Sequence, residues 1–137
     1  MVIALQASLD MMQREGLENI FARHLRHREA TRAAMKALNL GLLAPDDAAS
    51  ASITSVVPPE GLDAEKIRAT IKKKFDIVMA GGQDHLNGKI FRIGHLGFVS
   101  DRDILTAISA LEASISSLGY TNFTFGAGVK AAIEELN

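Results

Sequence analysis

The spacing of apolar residues over the first forty positions predicts two helices. The apolar side chains of the first helix recur at a helical period: Val2, Leu5, Leu9 and Met12. Gly16 should end it, because glycine readily adopts the left-handed conformation found at helix ends. A second, longer helix is predicted over 17–38. Its middle, 26–32, is mostly polar, so we expect that part to be more exposed than the ends.

Short apolar or β-branched runs bounded by turn residues predict four strands, at 42–44, 50–57, 76–79 and 90–93. Pro58-Pro59 follow the second run, where proline cannot continue a sheet ladder. Gly81-Gly82 follow the third run. These runs alternate with helical patterns, so the strands are expected to form one small sheet.

Three further helices are indicated by their capping residues and periodicity. Asp63 is a good N-cap for a helix over 64–75, and Ser100 with Asp103 resembles a capping box. The capping box opens a periodic helix that runs to about Leu118, and a last helix begins near Gly126. The order of elements predicts a single α+β domain (an α/β sandwich) over 1–137, in which helices cover a small, mostly antiparallel sheet of about four strands.

Composition narrows the possible functions. The chain is 47% hydrophobic and 23% charged with a net charge of −1, which is typical of a globular domain and argues against nucleic acid as the main partner. Basic clusters at 23–32 and 72–74 are interpreted as solvated helix faces. There is no cysteine, so disulfides, thiolate metal sites and cysteine nucleophiles are excluded. No apolar run approaches the roughly 20 residues of a membrane span, and the N-terminal segment does not resemble a signal peptide.

Most groups that could carry chemistry have a simpler structural explanation. The carboxylate pairs 46–47, 101 with 103, and 134–135 lie at turns or helix ends, where caps and solubilising charges are common. His24 and His27 lie three residues apart on one helix, which we interpret as a solvated pair in preference to a metal site. Neither a nucleophile elbow nor a phosphate-binding glycine loop is present.

Arg92 is the main candidate for ligand binding. It lies in an apolar strand, where a guanidinium is costly to bury unless it meets an anion, and a strand can aim its planar fork at a carboxylate or phosphate. The simpler alternative is a surface arginine bonded to a neighbouring acid. The turn at Gly81 and Gly82, His85 in the following loop and His95 after the strand are candidate site residues. A structural histidine is an equally good interpretation of His85 and His95.

Three stretches together resemble the C-terminal small domain of class V, fold type I aminotransferases, which are pyridoxal-phosphate enzymes. They are 15–24 (Glu-Gly-Leu-Glu-Asn, ending in Arg-His), 77–82 with 88–97 (containing Arg-Ile-Gly-His), and 103–112 with 126–128. The resemblance covers essentially the whole chain. It is greatest to the alanine–glyoxylate and serine–glyoxylate branch, which includes proteins named as soluble hydrogenase small subunits.

The resemblance implies that Arg92 binds the α-carboxylate of a small amino acid or 2-oxo acid. It also implies that pyridoxal phosphate and its lysine belong to a large domain absent from this chain, so the chain alone is expected to bind no cofactor and to be inactive. A homodimer and a cytoplasmic location (or an organellar one in a eukaryote) are implied for the parent protein. Two alternatives remain open: an independent carboxylate-binding module and a structural dimerisation domain.

Overall fold

The sheet of this domain is antiparallel throughout. The computed structural model describes residues 1–137. It contains five helices and four strands, which in chain order are α1 Val2–Glu15, α2 Leu17–Ala37, β1 Gly41–Leu42, β2 Ile53–Val57, α3 Ala64–Phe75, β3 Ala80–Gly81, β4 Phe91–Gly94, α4 Asp101–Ser117 and α5 Ala127–Leu136. The strands lie in the order β1-β2-β4-β3, and every neighbouring pair is antiparallel. The predicted α+β class is confirmed.

Helices cover one face of the sheet and leave the other open. Burial alternates along β2 and β4, as a half-covered sheet requires: Val56, Phe91 and Ile93 are buried, whereas Ser55 and Arg92 are only half-buried. The buried face meets α2 and α3, and α4 and α5 complete the helical layer. The hydrophobic core therefore lies between one sheet face and the helices, and Arg92 belongs to the opposite face.

Helix ends agree with their sequence signals. The Asp63 carboxylate accepts a hydrogen bond from the Lys66 N–H at 2.8 Å, and α3 begins at the next residue. Ser100 and Asp103 form the predicted capping box at the start of α4. Gly16 has φ +85° and ends α1 by donating its N–H to the Met12 carbonyl at 2.9 Å. These local predictions are confirmed because the partners lie within four residues of one another.

Two sequence predictions are wrong in position. The first strand is Gly41–Leu42 instead of 42–44, and the third is Ala80–Gly81 instead of 76–79. Asp76 has φ +54° and ends α3. The apolar residues 77–79 come after it but before the first residue that pairs with β4, so they are not part of the strand. Backbone groups of an alanine and a glycine form β3, so its side chains give no strand pattern.

The middle of α2 is also more buried than its polar composition suggests. His27, Thr31 and Arg32 are all buried, whereas Leu17 and Phe21 at the start of the helix are more than half exposed. Arg32 is accommodated because its guanidinium binds the Asp46 carboxylate, at 2.6 Å from Nη2. The expectation of an exposed middle is therefore wrong.

Helix α1 lies outside the core, and none of its residues is buried. Its last residue, Glu15, is bound by Arg23 of α2 through two hydrogen bonds of 2.6 and 2.9 Å. In the whole chain, no helix combines the length and hydropathy that crossing a bilayer demands.

Candidate functional site

Arg92 lies on the open face of the sheet, at the centre of β4. It is paired in register with Ser55 of β2 on one side and with Ala80 of β3 on the other. Residues opposite one another in an antiparallel pair share a face, so Arg92 stands between two small side chains. The arrangement leaves room above the strand for the guanidinium.

The side chain of Arg92 crosses β3. Its Nε–H donates to the Gly81 carbonyl at 2.8 Å. The Gly82 N–H donates to the Ile90 carbonyl at 3.2 Å, and because antiparallel ladder bonds alternate, the Gly81 carbonyl faces away from β4. Arg92 therefore reaches over β3 to the outer edge of the sheet. Neither Nη atom has a hydrogen bond or ion pair within the chain, so the end of the fork is free for an anion.

Both candidate glycines are in close contact with their surroundings. A Cβ on Gly81 would lie 2.7 Å from Nη1 of Arg68, on the side of the sheet that α3 covers. A Cβ on Gly82 would lie 2.0 Å from the Leu86 carbonyl oxygen, which is backbone and has little freedom to move aside. The structure thus brings the predicted glycine turn into direct contact with Arg92 through the Gly81 carbonyl.

His85 lies in the same loop as Gly82 but outside its tight contacts. It belongs to a single 3-10 turn, Asp84–Leu86, and is exposed. Its ring nitrogens have no hydrogen-bond partner in the chain, so they remain available to solvent or to a ligand. A contact with a ligand remains a prediction for this residue.

His95 faces the helical side of the sheet and not the open side. Its ring is completely buried, and its nitrogens lie 3.0 Å from the Thr54 hydroxyl and 3.1 Å from the Ala51 carbonyl. Burial lowers the pKa of His95 to about 4, so the ring is neutral at physiological pH. Both nitrogens are occupied, and His95 therefore supports the end of β4 and offers no free nitrogen to a ligand.

His24 and His27 are buried, which corrects the interpretation of a solvated pair. His24 Nδ1 donates to the Ile20 carbonyl at 2.7 Å and Nε2 accepts from the Gly97 N–H at 3.1 Å. His27 Nε2 lies 2.8 Å from the Asp101 carboxylate. No three His, Cys, Asp or Glu side chains are grouped so that they could hold a metal ion.

The structure also has a cavity that the sequence patterns did not indicate, and Arg92 does not line it. It is a groove of about 710 Å³ between α1, the first half of α2 and the loop after β4. Arg23 shapes its wall by donating to the Gly97 carbonyl at 2.8 Å and the Val99 carbonyl at 3.2 Å. The groove is lined mainly by apolar side chains, including Met11, Met12, Phe21, Leu25, Leu96 and Phe98.

Comparison with known proteins shows which proteins the chain is similar to. No protein-family model matches it. It is 66% identical over 134 residues to the soluble hydrogenase small subunit of Synechococcus sp., covering 98% of this chain and 35% of that protein. It is 35% identical over 133 residues to the serine–glyoxylate aminotransferase of Arabidopsis thaliana, covering 96% and 33%. The ureidoglycine–glyoxylate aminotransferase of Bacillus subtilis superposes with a TM-score of 0.89 at 32% identity, covering 96% and 34%.

The sheet, its helical layer and this pattern of coverage match the small C-terminal domain of aminotransferases. The proteins it resembles include serine–glyoxylate and ureidoglycine–glyoxylate aminotransferases, and some are named soluble hydrogenase subunits. The chain spans about a third of the length of the curated relatives it matches.

Proposed function

We propose that this chain is the small domain of a pyridoxal-phosphate aminotransferase of class V. The parent enzyme would transfer an amino group between a small amino acid of the alanine or serine type and glyoxylate or another 2-oxo acid. Arg92 would bind the α-carboxylate of the substrate. The observation that carries this proposal is the guanidinium of Arg92, which projects from the open sheet face with both Nη atoms unpaired.

The geometry supports a positioning role for Arg92. Its terminal N–H groups are parallel and match the two oxygens of a carboxylate. Fixing the carboxylate leaves the amino or keto carbon at a set distance from the arginine, which is how an aminotransferase holds its substrate for reaction elsewhere in the site.

The residues of this chain do not fit a complete cofactor site. Pyridoxal phosphate acts as an electron sink when bound through a lysine. Lys72, Lys73 and Lys74 are exposed on α3, and Lys89 is exposed before β4, so none has the desolvated surroundings that activate a lysine. We therefore propose that the cofactor and its lysine belong to the other two thirds of the parent polypeptide.

The first test concerns the gene. Sequencing upstream of the Met1 codon should reveal an open reading frame for a larger domain with a lysine in a Ser/Thr-rich loop. A native start codon at Met1, with no coding sequence before it, would contradict the proposal.

The second test uses the complete enzyme. With alanine or serine as donor and glyoxylate as acceptor, Arg92→Lys should raise KM by about tenfold or more, because lysine keeps the charge but loses one of the two hydrogen bonds of the fork, worth roughly 1.5 kcal/mol or more. Arg102→Lys is the matched control, since Arg102 is exposed on α4 and makes no ion pair. Equal KM values for the two variants would argue against the assignment of Arg92.

A non-catalytic function is the second candidate. The guanidinium of Arg92 is positioned by a hydrogen bond within this chain, and its two Nη atoms are unpaired. The isolated domain could therefore act as a carboxylate-binding module. Calorimetric titration with glyoxylate and alanine should then show heat that Arg92→Ala abolishes. A dimerisation role would instead rest on the apolar groove, and a monomeric mass by light scattering would count against it.

For the parent enzyme we propose a homodimer in the cytoplasm, or in an organelle if the source is eukaryotic. Light scattering of the complete protein would check the dimer. Cell fractionation with an antibody against this domain would check the location.

A further inference from the structure

We infer that the Gly81-Gly82 turn is the positioning element of Arg92, and that it dictates which edge of the guanidinium a ligand meets. The inference concerns how the arginine is held. It rests on the proposed function only for the ligand, a small molecule that presents one planar carboxylate.

A guanidinium offers a carboxylate two edges, one formed by Nε with Nη2 and the other by the two Nη atoms. In this domain the Gly81 carbonyl accepts the Nε–H at 2.8 Å. The side edge is therefore occupied by backbone. The ligand is left with the terminal edge, which lies beyond the outer side of β3.

Gly82 fixes the location of the Gly81 carbonyl because there is no space for a side chain at position 82. Its φ lies outside the left-handed region, so conformation does not explain the glycine. A Cβ there would lie 2.0 Å from the Leu86 oxygen, 2.5 Å from the Leu86 carbonyl carbon and 3.0 Å from Cγ1 of Ile90. The loop folds directly onto Gly82, and any side chain would push apart the loop and the strand that carries Gly81.

The strand is also held from the helical side. Arg68 of α3 donates its Nε–H to the Met79 carbonyl at 2.8 Å and pairs with Glu65 on the same helix. A Cβ on Gly81 would meet the Arg68 guanidinium at 2.7 Å. Strand β3 is therefore in close contact with Arg68 on one side and with the loop around Leu86 on the other, so the Gly81 carbonyl has little freedom to move.

The direct test is nuclear magnetic resonance of the unmodified 137-residue chain, labelled with ¹⁵N. The Nε–H of Arg92 should exchange with water roughly tenfold more slowly than that of Arg102, because one hydrogen bond protects it. Equal exchange rates for the two arginines would overturn the inference. This measurement needs no ligand and no variant.

The variant test compares two glycines that flank the arginine in space. Gly82→Ala should shift the Arg92 Nε–H resonance and bring its exchange rate toward that of Arg102. Gly94→Ala is the matched control, because Gly94 lies on the same strand, has an ordinary φ and would place its Cβ more than 4 Å from any other group. An unchanged Arg92 resonance in a folded Gly82→Ala chain would overturn the inference. If this variant does not fold, the exchange rates of Arg92 and Arg102 in the unmodified chain decide the question.

The ligand test separates this inference from the proposed function. Titration with glyoxylate, followed at the Arg92 resonance, should show binding that Gly82→Ala weakens at least about fivefold and that Gly94→Ala does not change. If the unmodified chain shows a protected Nε–H but no binding, carboxylate binding by the isolated domain fails and the positioning role stands. If glyoxylate binds equally well to both glycine variants, the positioning role fails and the binding function stands.

Discussion

Thr54 and His95 are hydrogen-bonded at 3.0 Å on the buried face of the sheet. The Ala51 carbonyl lies 3.1 Å from Nδ1 of His95, and a carbonyl can only accept. Nδ1 therefore carries the hydrogen, and Nε2 accepts from the Thr54 hydroxyl. Protonation of the ring would force the Thr54 hydroxyl to accept this second bond instead of donating it, and would place a charge in the core. Burial accordingly lowers the pKa of His95 from 6.5 to about 4.

The first prediction follows from this shift. Between pH 6.5 and about 4 the unfolded chain binds a proton at His95 and the folded chain does not, so stability should fall as the pH is lowered through this window. The full loss is on the order of 3 kcal/mol. Urea unfolding measured at pH 7, 6 and 5 should show the decline in the free energy of unfolding.

His85→Gln is the control for this measurement, since His85 is exposed. It should keep the slope, whereas His95→Gln should flatten it between pH 5 and 6.5. The pKa values of Asp101 and Asp103 are lowered by hydrogen bonds from Arg26 and Ser100, respectively, and their contribution is lost only at more acidic pH. A His95→Gln chain with the same slope as the unmodified chain would refute the assignment.

The second prediction concerns Glu112, a buried carboxylate on α4. It accepts the Gly126 N–H at 2.5 Å and the Val129 N–H at 3.0 Å, so it caps α5 from a neighbouring helix. Glu112→Ala would leave both partly buried amides without a partner. We expect a loss of about 3 kcal/mol in the free energy of unfolding.

Glu135→Ala serves as the control, because Glu135 is exposed near the end of α5. Gly128→Ala gives an independent check, since its Cβ would lie 2.8 Å from Oε1 of Glu112 and 3.0 Å from Cγ of Leu38. Glu112→Ala with the stability of Glu135→Ala would show that the cap is unimportant.

The third prediction concerns the attachment of α1. Because no residue of α1 is buried, the Glu15–Arg23 ion pair is a main link between this helix and the rest of the domain. Arg23→Ala should increase hydrogen exchange of the α1 amides by roughly fivefold, because the partly exposed pair that holds the end of the helix is lost. Arg14→Ala removes an exposed arginine from the same helix and should have no comparable effect; similar exchange in both variants would contradict the prediction.

The fourth prediction tests the N-cap of α3. Asp63→Ala removes the acceptor of the Lys66 N–H and should lower the free energy of unfolding by about 1 kcal/mol. Glu60→Ala, an exposed change three residues earlier, should be close to neutral. Thermal unfolding followed by circular dichroism is sufficient, and equal midpoints for the two variants would rule out the cap.

Features that depend on near neighbours were predictable from the sequence. Asp63 and the Ser100–Asp103 pair act on amides within three residues, so their patterns predicted the helix starts correctly. Arg92 was predicted on a strand because β-branched and aromatic neighbours surround it. Its role in binding remains a proposal.

Features that depend on distant partners were not predictable. His27 is buried with its ring bound to the carboxylate of Asp101, which is 74 positions away in sequence. Arg32 is buried with its guanidinium bound to Asp46. Ile77 to Met79 look like a strand, but the ladder forms one step later through the backbone of Ala80 and Gly81. The Gly81 group that contacts Arg92 is a backbone carbonyl, which leaves no trace in the pattern of side chains. The sequence therefore indicated a glycine turn near the arginine but not the hydrogen bond between them.

The two arginines on either side of β3 also affect how copies of the molecule meet. β3 is the last strand of the sheet, and an unpaired edge can recruit a strand from a second molecule and begin aggregation. Here Arg68 and Arg92 occupy the outward carbonyls of Met79 and Gly81 from opposite faces. The same guanidinium that is proposed to hold a substrate therefore also shields the sheet from edge-to-edge polymerisation.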